Sequence, residues 1–132
     1  MTDYKTQSPE GHGRDEEMQW ARIVASGRAA KGVAVIFLQK MCTAFHEFEP
    51  AWRAGALNDA HLPYFRERLA SRVRKTLQVL RANELHRLNG VAELETILFA
   101  VESAKTMARL ADQAEKAHDA AHTLTDALEK LA

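Results

Sequence analysis

The sequence predicts an all-α fold: an antiparallel bundle of three long helices, or four if the first or third helix breaks. Three observations carry this. Apolar side chains recur at three- and four-residue spacing through most of the 132-residue chain. The one solid apolar run that could be a strand by composition, Val33 to Leu38, has no partner strand anywhere. Residues 91–132 hold neither glycine nor proline, so nothing in them punctuates a helix.

The elements follow in order. Residues 1–14 carry Pro9, Gly11 and Gly13 among polar residues with little to bury, and are expected to be a disordered tail. Residues 15–132 are expected to form one helical domain. Asp15, Glu16 and Glu17 suit the positive end of a first helix. Its apolar positions run from Trp20 to Phe48, and Pro50 should end or kink it. Gly27, Ala30, Gly32 and Ala34 leave a stretch of little bulk, which predicts either close approach of a neighbouring helix or a break near Gly32.

Residues 51–61 read as a connection, with Trp52 over the end of the core and either Asp59 as N-cap or Pro63 in the first turn of the next helix. The second helix is expected from Leu62 to Leu88. Phe65, Leu69, Val73, Leu77, Leu80 and Leu88 form its buried stripe, with Arg68, Arg72, Lys75 and His86 on the far side. The third runs from Val91 onward with two stripes. The first is Leu94, Ile97, Leu98, Val101, Ala104 and Ala108; the second is Met107, Leu110, Ala114, Ala117, Ala121, Leu124, Leu128 and Leu131. The second stripe keeps a heptad spacing. The two lie about 180° apart at 100° per residue, so either the helix breaks between Ala104 and Arg109 or its halves pack on different neighbours.

Formal net charge is zero, which argues against a general polyanion binder, but the charge is uneven. Residues 62–90 hold seven basic and two acidic side chains, and residues 91–132 hold four basic and eight acidic. Cys42 is the only cysteine, so an intrachain disulfide is excluded and a reducing compartment is expected. No apolar signal segment opens the chain, and Val33–Leu38 falls far short of the ~20 residues that span a bilayer. These features predict a soluble, cytoplasmic protein without a membrane partner. Its richness in alanine and arginine suits a GC-rich bacterial genome.

Three stretches could carry chemistry. "HRLNG", residues 86–90, resembles the phosphorylatable-histidine motif of histidine phosphotransfer bundles. The resemblance covers five residues, has Asn89 where that motif carries lysine, and implies at most a remote phosphotransfer role for His86. Asn89-Gly90 also spells a helix C-cap, with Gly90 left-handed and Val91 closing on Leu85, which would put His86 in the last helical turn.

"EKAHDAAH", residues 115–122, offers Glu115-x-x-His118 and His118-x-x-x-His122. The leucine seam faces away from both histidines, which therefore read as part of an acidic solvent face. "HEFE" at residues 46–49 has the wrong spacing to complete a di-iron set. The third stretch is the basic stripe Arg66, Arg68, Arg72, Arg74 and Lys75, a possible polyanion-binding face that lacks interleaved aromatics.

Cys42, between Met41 and Phe45, reads as a buried structural thiol. No catalytic arrangement, metal site or cofactor is expected. The resulting functional expectation is a non-enzymatic helical protein-interaction module. It would self-associate as a coiled-coil homo-oligomer, or bind another helical protein, through Leu110, Ala114, Ala117, Ala121, Leu124, Leu128 and Leu131. A nucleic-acid-associated regulator using the basic helix is the alternative.

Overall fold

The computed structural model describes residues 31–130. The expected tail, the acids of residues 15–17, Trp20, Gly27, Ala30 and Leu131 lie outside the described residues. The described residues form four α-helices: α1 (Lys31–Arg53), α2 (Leu62–Ala82), α3 (Val91–Ser103) and α4 (Met107–Glu129), with a 3-10 turn at Asp59–His61 before α2. No strand occurs among the described residues, and no described helix is long and apolar enough to cross a membrane.

The run Val33–Leu38 is helical, as its lack of a partner strand required. Ala34, Phe37, Leu38, Met41 and Phe48 of α1 are buried. No described residue comes within 4 Å of a Cβ built at Gly32, so none of them makes the close approach expected there, and the residues before Lys31, where a break would show, lie outside the described ones. α1 passes through Pro50 and ends at Arg53. Trp52 is half-buried and stacks on Phe48 at 6.2 Å.

Asn58, not Asp59, caps the next turn. Its side chain accepts from the Ala60 N–H at 2.8 Å, and its own N–H donates to His61 Nδ1 at 3.0 Å. Pro63 sits in the first turn of α2, where its missing N–H costs nothing.

α2 ends at Ala82 rather than Leu88. The closure expected at Gly90 is made earlier, around Asn83 and Glu84. The Leu85 N–H donates to Leu80 O at 2.7 Å and the Glu84 N–H to Arg81 O at 3.1 Å, the paired bonds of a Schellman end. Glu84 takes the left-handed position, φ 59°, and the Asn83 side chain donates to Val79 O at 2.6 Å. Leu85 and Leu88 then pack on the core from a turn. Gly90 is left-handed as its sequence suggested, φ 103°, but it opens α3 instead of closing α2. His86 therefore lies in a turn and not in a helix.

The expected third helix breaks at Ala104–Thr106. Ala104 is extended, and the Thr106 hydroxyl accepts from the Arg109 N–H at 3.2 Å to start α4. Two side chains from the α2 side fix this elbow: Arg66 Nη1 donates to Ala104 O at 2.9 Å, and Asp59 Oδ1 accepts from the Met107 N–H at 2.8 Å. The break explains the two opposed stripes, because each half can now turn its own stripe to one core. α1 packs on α2 and α4, and α3 packs on α2 and α4.

The seam is consequently internal. Leu110, Ala114, Ala117, Ala121, Leu124 and Leu128 are at most 7% exposed within the chain's own core. The expectation of an exposed contact stripe is corrected on this point: the surface it offered is covered by the same chain. Burying each of the leucines contributes about 1.5–3 kcal/mol.

Candidate metal centre

α1 carries Cys42 and His46 one helical turn apart, and α4 carries His118 and His122 one turn apart. Side chains at i and i+4 share a helix face. Since α1 packs on α4, the two pairs meet at the rim of their interface. The ligand atoms of Cys42, His118 and His122 all lie within 4.8 Å of one another. Cys42 and His118 are half-buried, whereas His46 and His122 are exposed.

His118 Nε2 and His122 Nε2 are 3.2 Å apart. Two imidazole nitrogens held at ~2.05 Å by one tetrahedral ion are separated by about 3.3 Å, so this pair is already at ligand spacing. The same approach is a hydrogen bond when one ring donates and the other accepts, and a bound ion would take the place of that shared proton. The other ring nitrogen of His118, Nδ1, lies 3.5 Å from Asp119 Oδ1. A carboxylate behind a histidine holds the ring with Nε2 free for a ligand.

The histidine ring is also held by stacking. Phe45 lies 4.7 Å from the His118 ring at a 32° tilt. His46 meets His118 edge-on at 4.9 Å, and His122 does so at 4.5 Å. Burial pushes the Cys42 thiol above its ordinary value of 9.0, so at neutral pH it is held as the neutral thiol. A cation beside it would reverse that preference by stabilising the thiolate.

Thiolate and imidazole together suit a borderline-soft divalent ion such as Zn²⁺. The helical acids do not join this set. Glu115 is exposed and belongs to no such cluster, so the Glu115-x-x-His118 spacing leads nowhere. The reading of His118 and His122 as solvent-face residues is corrected for His118, which is wedged against α1.

Arg66, Arg68 and Arg74 of the basic stripe are held by partners within the chain. Arg66 holds Ala104 O. Arg68 pairs with Glu47 at 3.2 Å, and Arg74 pairs with Glu67 at 3.2 Å and with Glu102 at 3.0 Å. Arg72 is half-buried, and Lys75 Nζ is buried. These groups do not form one open cationic face. His86, in its turn, lacks the mid-helix position that a phosphotransfer histidine needs. Among the described residues the exposed large apolar side chains are Ile36 at 40% and Phe99 at 74%, and single exposed apolar side chains are ordinary on a protein surface.

Sequence reasoning missed the union of Cys42 and His46 with His118 and His122. Both i,i+4 pairs were visible, but spacing alone does not say which helix faces which. Compared with known proteins, the chain matches no family model, no curated protein and no solved structure.

Proposed function

We propose that this chain is a non-enzymatic helical module that binds one divalent transition-metal ion, of the Zn²⁺ type, across the junction of α1 and α4. The carrying observation is the convergence of Cys42 with His118 and His122, more than seventy positions away in sequence, with ligand atoms within 4.8 Å. In this reading the helices form an antiparallel bundle, as short connections favour. Metal binding then ties α1 to α4 and stabilises their packing by mass action. A reducing compartment suits the site, because only a reduced Cys42 can serve as ligand.

No hydrolytic or group-transfer role is assigned. The protein-interaction reading through the seam finds less support, because its leucines are spent in the core.

Calorimetric titration of the full chain with Zn²⁺ under reducing conditions tests the proposal. One ion per chain should bind, and the double variant His118→Ala/His122→Ala should lose that binding while keeping its helical circular dichroism. Equal binding by the double variant would overturn the assignment.

A further inference from the structure

Cys42, His118 and His122 supply three donors, and a tetrahedral ion needs a fourth. The fourth can come from solvent, leaving an open position, or from the chain, closing the site. That choice separates a reactive centre from a structural one.

His46 is the side chain placed to decide it. It stands one turn beyond Cys42 on α1, on the same face. Its ring already touches the His118 ring edge-on, with centroids 4.9 Å apart, and meets Phe45 at 5.6 Å. It is exposed, so little packing resists rotation about its side-chain bonds. Cys42-x-x-x-His46 facing His118-x-x-x-His122 gives each helix a two-toothed grip on one point.

Resting on the metal-binding reading above, we infer that His46 is the fourth ligand. It turns in when the ion binds, so that the filled site is a closed Cys-His₃ tetrahedron without an open coordination position. The site then takes a metal ion alone and admits neither a substrate nor an exogenous anion. Its consequence is conformational: two ligands from each helix fix the register of α1 on α4 at one point, whereas three ligands would leave α1 held by Cys42 only.

The test uses Co²⁺ as the visible probe in the full-length reduced protein, with azide as a small competing ligand. Wild type should show the intense absorption of four-coordinate Co²⁺ with a thiolate charge-transfer band, unchanged by azide. His46→Ala should still bind Co²⁺ but shift its spectrum on adding azide, and added imidazole should restore a spectrum like that of wild type. Circular dichroism on both proteins checks that the exposed substitution leaves the helices intact.

A wild-type spectrum that responds to azide would overturn the closed site. A His46→Ala spectrum identical to wild type with and without azide would overturn the role of His46. In both cases the three-ligand reading survives, because Co²⁺ is still bound through the thiolate. Absence of any thiolate band in wild type would instead overturn the metal reading itself and this inference with it.

Discussion

His118 Nε2 and His122 Nε2 approach within 3.2 Å on one face of α4, and Cys42 of α1 closes the triangle. The two histidine nitrogens already stand at ligand spacing, and Cys42 has to close on them from within 4.8 Å. Removing one donor should therefore be costly. Cys42→Ser or His122→Ala is expected to weaken Zn²⁺ binding by more than ~100-fold, beyond the range seen for losses in the supporting shell. Competition against a chromophoric chelator measures this. A change below threefold in both variants would count against the site.

Asp119 is a positioning residue in this account, acting through His118 Nδ1 at 3.5 Å. The aspartate is exposed, so the low end of the usual range applies, and Asp119→Asn should weaken Zn²⁺ binding about 10-fold. Metal-free stability should hardly change, since an exposed pair contributes only ~0–1 kcal/mol. Chelator competition and thermal melting of the metal-free protein, run side by side, separate the two effects.

Binding should depend on pH. Burial raises the Cys42 thiol above 9.0, so at neutral pH the ion must displace its proton. Affinity for Zn²⁺ is expected to rise ~10-fold per pH unit between pH 7 and 8 from this proton alone. Without metal the sign is opposite for stability. A thiol value raised by folding contributes stability that is present below the ordinary thiol value and lost as pH rises through the raised one. Metal-free protein should thus melt earlier above pH 9, and Cys42→Ala should flatten that decline.

The elbow between α3 and α4 depends on Asp59, whose carboxylate accepts the Met107 N–H at 2.8 Å from 48 residues away in sequence. Asp59→Ala leaves that partly buried donor without its partner and should destabilise the fold by about 1–3 kcal/mol in urea melts. Asp59→Asn keeps an acceptor and should lose less.

"HRLNG" finds its answer at its last residue. Gly90 has φ 103°, and a Cβ there would come within 3.0 Å of Leu124 Cγ. Leu124 is fully buried and its branch point cannot move aside. Gly90→Ala should destabilise by about 1–3 kcal/mol through backbone strain and overpacking together, whereas His86→Ala should be near neutral in the same denaturation assay.

Much of this architecture was legible in the sequence. Helical periodicity, the two opposed stripes and the left-handed glycine all follow from local rules. The end of α2 was not legible, because Glu84 adopts a conformation that propensity assigns to glycine, held there by the Leu85–Leu80 bond. Whether the seam faced solvent was equally hidden. Leu110 to Leu128 read the same in a coiled coil and in a core, and only the break at Ala104–Thr106 turns them inward. The cluster was hidden for the same reason: Cys42 and His118 look like a core thiol and a surface imidazole until α1 is set against α4.

The central claim is that a thiolate from α1 and imidazoles from α4 share one metal ion. X-ray absorption at the zinc edge of the reduced, one-to-one Zn²⁺ protein tests it most directly. One sulfur at about 2.3 Å and imidazole nitrogens at about 2.0 Å should surround the ion. A shell of nitrogen and oxygen without sulfur would contradict it.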